Sequence, residues 1–318
     1  MRKLLSALTA ATLVLTGCGG GSDASSDGEV VLRVGDQKGG AKSLLTAAGL
    51  LDDFPYEIEW STFSSGPPLL EAASAGAIDL GGVGNTPPIF AAAANARIAA
   101  VYSAQGSVEG DALLVPADSP LKSAGELRGR SIAVAKGSSA HGQVLLTLAS
   151  EGLTTKDVTL NFLQPSDAYS AFTQGRVDAW AVWDPYTSQA ELEADARVLA
   201  DGRGKSNGYT FQVAGRAALA DPGKEAAIKE YVKRYAQAQR WADTHREEWA
   251  ATWAAETGLE VEVARRAVER GGDLPVPLDD TVIASEQELA DAFTADGALP
   301  GKVVFKDFVD TRFRGELS

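Results

Sequence analysis

Reactive and cross-linking side chains are scarce in this chain of 318 residues, which has one cysteine, one methionine and two histidines. A single cysteine excludes a disulfide within the chain, so its stability has to come from packing. Two histidines and one cysteine do not supply a zinc site, so we expect no metal, and we expect no cofactor. No apolar run reaches the roughly 20 residues that a membrane-spanning helix needs. The sequence therefore argues against disulfide-stapled, metal-dependent and membrane-spanning proteins.

Positive charge is also in short supply, because 29 Lys and Arg stand against 43 Asp and Glu and the formal net charge is −14. A chain of this charge is a poor nucleic-acid binder, and we expect no such partner. The net charge does not exclude an anionic ligand, since exposed charges are screened over about 8 Å at physiological salt. A pocket inside an acidic protein is free to be locally positive.

The first residues have the layout of an export signal. Arg2 and Lys3 precede an apolar run over residues 4–15, and small residues then lead to Cys18. This order is typical of a secretory signal peptide, which we assign to residues 1–17. The end of the segment resembles the bacterial lipobox, in which the cysteine is lipidated and becomes the new N-terminus. The sequence therefore predicts a location outside the cytoplasm.

Residues 18–28 are predicted to be a lipid-anchored flexible linker. The segment after Cys18 is GGGSDASSDG, a composition that favours neither a helix nor a packed core. A lipidated Cys18 would attach the folded part, which begins near residue 29, to a face of the cell membrane. The sequence leaves open whether that face lies in a periplasm or on the outside of a single membrane.

Short apolar runs alternate with helical patterns from Val30 onward, which is typical of an α/β fold. The first series predicts strands at 30–35, 56–63, 78–83, 97–103 and 112–115, with helices at 41–51, 67–75 and 87–94. The second predicts strands at 131–135, 158–163, 178–182 and 209–214, with helices at 139–151 and 167–174. The remaining chain is helical at 225–256, 261–269 and 283–294.

Two such series followed by a helical tail predict two lobes. We expect the chain to pass between the lobes near Pro116 and near Phe211. Lobe 1 then takes residues 29–115 and 211–318, and lobe 2 takes residues 116–210.

The predicted turns between strands and helices are rich in Gly, Ser, Asn, Thr and Gln. Ligands of open α/β sheets bind at the carboxyl ends of strands, where helix starts offer unpaired N–H groups and partial positive charge. Each turn alone is an ordinary helix cap. Their concentration in both series instead predicts a site for a small oxyanion held by neutral donors. The turns are 36–40, 64–67, 84–87, 136–139 and 183–185.

Four segments together resemble the aliphatic-sulfonate substrate-binding proteins of ABC importers, in a group that also serves taurine, nitrate and aromatic sulfonates. The order of their motifs is specific, whereas any one of them alone would be a weak signal. The segments are LRVGDQKGG (32–40), FSSGPPLLEAASAGAIDLGGVGNTPPIFAAAA (63–94), LRGRSIAVAKGSSAHGQVLL (127–146) and DAYSAFTQGRVDAWAVWDPY (167–186).

The resemblance implies a two-lobed periplasmic-binding-protein fold of type II. Its sheets would be mainly parallel, with helices on both faces, and a hinge of two chain segments would join the lobes. The ligand would be a small anion such as an alkanesulfonate, clamped between the lobes and delivered to a permease driven by an ATPase. A monomer without enzymatic activity is expected.

The resemblance also implies which residues of lobe 1 face the ligand. Gln37 and Gly66 would line the wall of the lobe, with Lys38 in the same turn as Gln37. Asn85 and Thr86 would lie at a helix start that faces the anion.

In lobe 2, Ser138 and Ser139 would cap a helix and donate to the same oxyanion. Trp183 would offer an apolar surface to the ligand's tail, and Asp184 would orient donors or meet a cationic tail. His141 follows the KGSS turn and is a further candidate for ligand contact, although a surface position in the first helical turn is the simpler interpretation.

Two positions depart from the family pattern. Asp36 stands where an aromatic residue is usual, and Asn85 stands where an aspartate is common. An acid at the mouth of the cleft would disfavour plain alkyl chains, so Asp36 suggests a ligand that bears an amino group.

Two other kinds of function remain as alternatives. Residues 204–208 match the G-x-S-x-G pattern of hydrolases, but a strand is predicted after them where a nucleophile elbow needs a helix. His141 and His245 would be the only candidate histidine bases, and His245 lies in a charged helix. A structural lipoprotein is the other alternative, although it has no need of donor-rich turns at so many strand ends.

Overall fold

The computed structural model describes residues 30–299 and 301–317. The predicted signal peptide (1–17), the lipidation site Cys18 and the linker (18–28) lie outside the described residues. Among the residues described, no helix combines the length and the apolar character needed to cross a bilayer.

The described strands form two sheets, one ordered β11-β4-β10-β3-β1-β2 and the other β7-β6-β8-β5-β9. Their bounds are β1 (Val31–Gln37), β2 (Glu57–Phe63), β3 (Leu80–Gly84), β4 (Ile98–Gln105), β5 (Ala112–Val115), β6 (Ser131–Val134), β7 (Thr159–Phe162), β8 (Ala179–Val182), β9 (Arg197–Asp201), β10 (Tyr209–Gly215) and β11 (Leu274–Val276).

Helices pack on the faces of both sheets and confirm the predicted α/β fold. Their bounds are α1 (Ala41–Ala47), α2 (Gly66–Ser74), α3 (Thr86–Ala93), α4 (Ser139–Ser150), α5 (Pro165–Thr173), α6 (Tyr186–Glu193), α7 (Arg216–Ala220), α8 (Pro222–Thr244), α9 (Arg246–Thr257), α10 (Val261–Glu269) and α11 (Asp280–Asp296).

The sheets are mixed, so the prediction of mainly parallel sheets was wrong. Strand β1 runs parallel to β2 and β3, and β6 runs parallel to β7 and β8. Strand β10 is antiparallel to β3 and β4, and β5 is antiparallel to β8 and β9. The antiparallel pairs arise because β5 and β10 enter their sheets directly from the other sheet, without a crossover helix.

The chain passes between the sheets through two neighbouring connections, residues 106–111 and 202–208. The N–H of Gly106 donates to the carbonyl of Gly208 over 3.1 Å, and the N–H of Gly202 donates to that of Val108 over 3.0 Å. Gly208 has φ +68°, and a Cβ on it would lie 2.7 Å from the Gly106 oxygen. This position therefore requires glycine for its backbone conformation and for its close approach.

These connections shift the boundary expected between the lobes. Strand β5 was placed with lobe 1 (29–115), but it hydrogen-bonds to β8 and β9 in the second sheet. The start of β10, Tyr209, was placed with lobe 2 (116–210), but it pairs with β4 in the first sheet. The apolar pattern showed where these strands are, whereas their partners depend on long-range pairing.

The helix predicted over 225–256 is two helices. α8 ends at Thr244 and α9 begins at Arg246, because His245 has the non-helical angles φ −123° and ψ 48°. The break turns α9 onto α1, where stacked Trp249 and Trp253 join the core beneath the first sheet.

His141 lies in an aromatic cluster that joins elements packed on the two sheets. Its ring centroid is 5.8 Å from that of Phe90 on α3, 5.4 Å from that of Phe162 on β7 and 5.2 Å from that of Phe293 on α11. The N–H of Gly137 donates to its Nδ1 over 3.1 Å. Burial in this cluster lowers the pKa of His141 to about 4, so the imidazole is neutral at physiological pH.

Asp79, which precedes β3, is a buried carboxylate with two cationic partners. Its side chain is 3% exposed and lies 2.7 Å from both the Arg33 guanidinium and the Lys224 ammonium. Burial alone would raise the pKa of Asp79, but the hydrogen bonds from Arg33 and Lys224 outweigh it and hold the pKa below its ordinary value. This cluster attaches the start of α8 to the first sheet.

We expect the Asp79→Asn substitution to destabilise the protein by about 3 kcal/mol, because it removes the buried counter-charge of two partly exposed cations. Since the folded-state pKa of Asp79 is depressed, its contribution is present above the unfolded value and is lost as the pH falls. Urea denaturation at pH 7 and at lower pH measures both effects. Asp53→Asn is the control: this carboxylate is 84% exposed and pairs with Arg234, so its loss should cost about 1 kcal/mol or less.

We expect His141 to titrate with a midpoint near pH 4. Because its folded-state pKa is lowered, the stability it contributes is complete above about pH 6.5 and is lost as the pH falls toward the folded value. The Cε1 resonance of ¹³C-labelled histidine reports the midpoint, and His245→Gln leaves His141 as the only histidine signal within residues 30–317. A midpoint near 6.5 would contradict the buried, neutral imidazole.

Candidate functional site

A cavity of about 320 Å³ lies between the two sheets, at the turns that follow their strands. Its walls combine turns from the first sheet, turns from the second sheet and residues of α8, α9 and α10. Eight of the predicted ligand-facing residues line it: Gln37, Lys38, Gly66, Asn85, Ser138, Ser139, Trp183 and Asp184.

The structure does not bring Thr86 and His141 to the cavity wall. Thr86 is fully buried, and its hydroxyl donates to the side chain of Asn85 over 3.0 Å. A Cβ on Gly142 would lie 2.4 Å from this hydroxyl, so Thr86 packs into α4. His141 is in the aromatic cluster, because the first turn of α4 points its side chain toward α3 and α11.

The starts of α2, α3 and α4 converge beside the cavity. Gly66 of α2 lies so close to α3 that a Cβ in its place would be 2.6 Å from Cγ of Pro87. Gly84, just before α3, lies similarly close to α4, since a Cβ there would be 3.0 Å from Cβ of Ser139. A first helical turn leaves its backbone N–H groups without intrahelical acceptors. Because two prolines, which have no N–H, follow the first residue of both α2 and α3, most of these groups are at the start of α4. The convergence therefore concentrates donors and the positive ends of helix dipoles in one place.

The two serines at the start of α4 differ in what their hydroxyls already bind. The Ser138 hydroxyl donates to the Ala135 carbonyl over 2.7 Å and accepts the N–H of His141, as an N-cap does. The Ser139 hydroxyl makes one long bond of 3.4 Å, to Asp111. Ser139 is therefore the better placed of the two to donate to a ligand.

Two polar side chains at the ends of strands in the first sheet hold the site's geometry. Gln37 Nε2 donates to the Gly82 carbonyl over 2.9 Å, which ties the end of β1 to β3. Asn85 Nδ2 donates to Asn207 over 2.8 Å, and Asn207 in turn donates to Glu286 over 2.8 Å. These bonds link Asn85 to the connection 202–208 between the sheets and to α11.

Lys38 brings a cation to the cavity. Its ammonium lies 5.6 Å from the ring centroid of Tyr186 at the start of α6, so it reaches from the first sheet to an element of the second. Burial lowers the pKa of Lys38, which shows that the ammonium is partly removed from water. A partly desolvated ammonium interacts more strongly with an anion than an exposed one does.

Asp184 forms an ion pair with an arginine that no sequence motif indicated. Arg270, directly after α10, donates to both carboxylate oxygens of Asp184 over 2.9 and 2.8 Å, and it also binds Glu191. The Ser188 hydroxyl donates to Asp184 over 2.7 Å. This bridge neutralises Asp184 and joins α10 to α6 across the cavity.

Asp36 lines the cavity, but its buried carboxylate is already bound by the backbone of α1. Its carboxylate accepts the backbone N–H of Ala41 over 2.8 Å and that of Lys42 over 3.0 Å, at the start of α1. Burial raises the pKa of Asp36, and these hydrogen bonds oppose the rise.

Several polar residues of the cavity lie outside every predicted motif: Asp111, Gln212, Trp253, Arg270 and Asp273. They come from the passages between the sheets, from β10 and from the C-terminal helices. Burial, together with the charges of Asp184 and Asp273, raises the pKa of Asp111 to about 7. An acid or a glutamine next to a predicted strand belongs to no sequence motif. No local pattern therefore indicates that these residues line the cavity.

No cluster of His, Cys, Asp and Glu suited to a metal ion occurs in the described part of the chain. The cavity wall carries hydrogen-bond donors, a lysine and carboxylates.

Residues 44–257 match the NMT1-like family. The chain is 36% identical over 276 residues to the aliphatic sulfonates-binding protein of Escherichia coli strain K12, covering 86% of each. It is 31% identical over 323 residues to that of Bacillus subtilis strain 168, covering 98% of this chain and 96% of the relative.

Among solved structures, the alkanesulfonate-binding protein SsuA from Xanthomonas axonopodis pv. citri, bound to MOPS, matches with a TM-score of 0.81 and 36% identity. The match covers 88% of this chain and 98% of that one. The two-sheet architecture is the periplasmic-binding-protein fold. This identity over nearly the whole chain shows that the protein belongs to the NMT1-like family and, within it, to the aliphatic sulfonates-binding proteins.

Proposed function

We propose that the protein is the extracytoplasmic substrate-binding component of an ABC importer, which captures an organosulfonate between two lobes and delivers it to the permease. The observation that carries the proposal is the convergence of the α2, α3 and α4 starts with Lys38 at one cavity between the sheets. The aliphatic sulfonates-binding relatives and the MOPS-bound structure support it.

The chemistry of the cavity suits a sulfonate. A sulfonate stays ionised at physiological pH and has acceptor oxygens without a donor, so it needs a surface of donors. Backbone N–H groups at the start of α4, the N–H of Gly66, the Ser139 hydroxyl and the Lys38 ammonium form such a surface. Micromolar binding corresponds to about 8 kcal/mol, which four to six charge-assisted hydrogen bonds of about 1.5–3 kcal/mol each supply after ordering costs.

The remaining predicted site residues have supporting roles in this proposal. Gln37 and Asn85 hold the two turns in place, and Ser138 caps α4 beside the anion. Trp183 offers its ring to the ligand's carbon chain. Taurine, nitrate and aromatic sulfonates remain the alternative ligands.

Residues 106–111 and 202–208 are the proposed hinge. In the described part of the chain, strands of the two sheets are joined only by these two connections, which hydrogen-bond to each other and favour closure of two rigid lobes around a ligand. Lobe 1 then holds residues 30–105 and 209–317, and lobe 2 holds residues 112–201. We further propose that a signal peptide over 1–17 is removed and that Cys18 is lipidated. The linker 18–28 then lets a monomer reach its permease from the membrane surface.

A secreted hydrolase is the competing function. The G-x-S-x-G match at 204–208 lies in the second connection and leads into β10, so it lacks the following helix of a nucleophile elbow. The neutral imidazole of His141 is buried away from the cavity and bound to Gly137. These observations favour binding without turnover, and release of product from a bound sulfonate would contradict the proposal.

Isothermal titration calorimetry of the purified protein tests ligand binding and the role of Ser139. We expect Ser139→Ala to weaken binding of ethanesulfonate or octanesulfonate about tenfold, because one hydrogen bond to a charged group is lost. Ser150→Ala is the matched control at the other end of α4, where the hydroxyl donates to the Thr147 carbonyl. Absence of heat with every sulfonate, nitrate and taurine would refute the proposed function.

The Arg270 bridge gives a second test. We expect Arg270→Met to weaken sulfonate binding about tenfold, because the unpaired carboxylate of Asp184 then repels the anion in a poorly screened cavity. Adding Asp184→Asn to this variant should restore most of the affinity, since it removes the repelling charge. Unchanged affinity in Arg270→Met, measured by the same calorimetry, would show that the bridge has no part in binding.

A further inference from the structure

Asp111 places a carboxyl group beside the donors of the proposed anion site. It ends the connection 106–111 and lines the cavity, and its Oδ1 lies 3.4 Å from the Ser139 hydroxyl at the start of α4. Asp184 is close by, since a Cβ on Gly110 would lie 2.7 Å from its Oδ2. An anion bound at the start of α4 therefore shares this corner of the cavity with acidic side chains.

The Ser139 hydroxyl has a single proton, so it donates only one hydrogen bond at a time. An ionised Asp111 is an acceptor only, and the one proton of Ser139 is then directed at Asp111, away from the ligand. A protonated Asp111 is also a donor, and its O–H is able to donate to Ser139 Oγ across the same contact. The hydrogen bond then reverses, and the proton of Ser139 is free for a ligand.

The surroundings of Asp111 favour its neutral form. Burial is the main cause that raises its pKa to about 7, and the charges of Asp184 and Asp273 add to the rise, while the Ser139 hydrogen bond opposes it. An anion bound beside Asp111 raises the pKa further, because a negative charge nearby disfavours the ionised carboxylate. By linkage, protonation of Asp111 strengthens anion binding by the same factor.

Other charged groups lie around Asp111 or on the same cavity wall. They are Asp184 after β8 with its partner Arg270, Asp273 before β11, Asp201 on β9 and Glu109 with their partner Arg203, and the cavity-lining Lys38 and Arg246. Among them, Lys38 is the group whose titration could imitate that of Asp111. Burial lowers the pKa of Lys38, and loss of its charge would also weaken anion binding as the pH rises.

We propose that Asp111 binds a proton together with the sulfonate, and that the protonated acid orients the Ser139 hydroxyl to donate to the ligand. This inference rests on the proposed function, because the ligand is the anion held at the start of α4. Asp111 is a positioning residue that acts through Ser139, and it makes capture tighter in mildly acidic than in alkaline solution. The proton comes from solvent on binding and returns to solvent on release.

Calorimetry of the whole protein with ethanesulfonate or octanesulfonate tests the linkage, because both ligands stay ionised between pH 6 and pH 8.5. We expect the affinity to fall about tenfold or more over this range. Proton uptake should be about half a proton per ligand at pH 7 and nearly one at pH 8.5, since the free acid titrates near pH 7. Titrations in two buffers of different ionisation enthalpy measure this uptake.

The Asp111→Asn variant identifies the group that takes up the proton. Its amide donates to Ser139 Oγ at every pH, so we expect wild-type affinity at pH 6 within a few-fold, tighter binding than the wild type at pH 8.5, and no proton uptake at pH 7. Asp53→Asn, which neutralises a carboxylate exposed on the surface, should keep the wild-type profile. Circular dichroism melts establish that each variant is folded.

The Lys38→Arg variant separates Asp111 from Lys38 and decides the matter if Asp111→Asn does not fold. Arginine keeps its charge at every pH of the experiment. The proton uptake of the wild type should therefore persist in Lys38→Arg, whatever the absolute affinity of this variant.

The outcomes separate the two proposals. If neither sulfonate binds at any pH, the proposed function fails. If they bind equally well from pH 6 to pH 8.5 and without proton uptake, the sulfonate role stands and the role of Asp111 is overturned. A pH dependence that is unchanged in Asp111→Asn, or that is lost in Lys38→Arg, would overturn it as well.

Discussion

The site depends on two connections that hydrogen-bond to each other where the chain passes between the sheets. The bonds from Gly106 to Gly208 and from Gly202 to Val108 hold the two connections side by side, and turns at the ends of strands from both sheets line one cavity. Helix starts that would separately be ordinary caps thereby face a common space. Without these paired connections, the donors beside the two sheets would not face one ligand.

The electrostatics of the cavity are local and differ from those of the whole chain. A net charge of −14 describes the surface, where water and salt screen charges from one another. Inside, Lys38 and the helix starts provide positive potential on one wall, while Arg270 cancels Asp184 on another. Asp111 and Asp273 also line the cavity, so its potential differs from one wall to the next.

Much of the architecture was predictable because it depends on short-range pattern. Strand and helix positions followed from apolar periodicity, and eight of the residues that line the cavity followed from donor-rich turns and from the resemblance to a known family. Strand partners did not follow. β5 pairs in the second sheet and β10 inserts antiparallel into the first, because hydrogen bonds between residues far apart in sequence decide both. The break at His245 was missed for a similar reason, since α9 turns to bury its tryptophans under α1.

The sequence alone determined the α/β class, the two series of elements and the turns that supply donors, because each is encoded within a few neighbouring residues. The tertiary structure alone decided which side chains are available in the cavity. It committed Asp36 to the start of α1 and His141 to an aromatic cluster. It also brought Asp111, Gln212, Arg270 and Asp273 to the ligand's space from distant segments. Such placement results from packing across the whole chain, which no local pattern records.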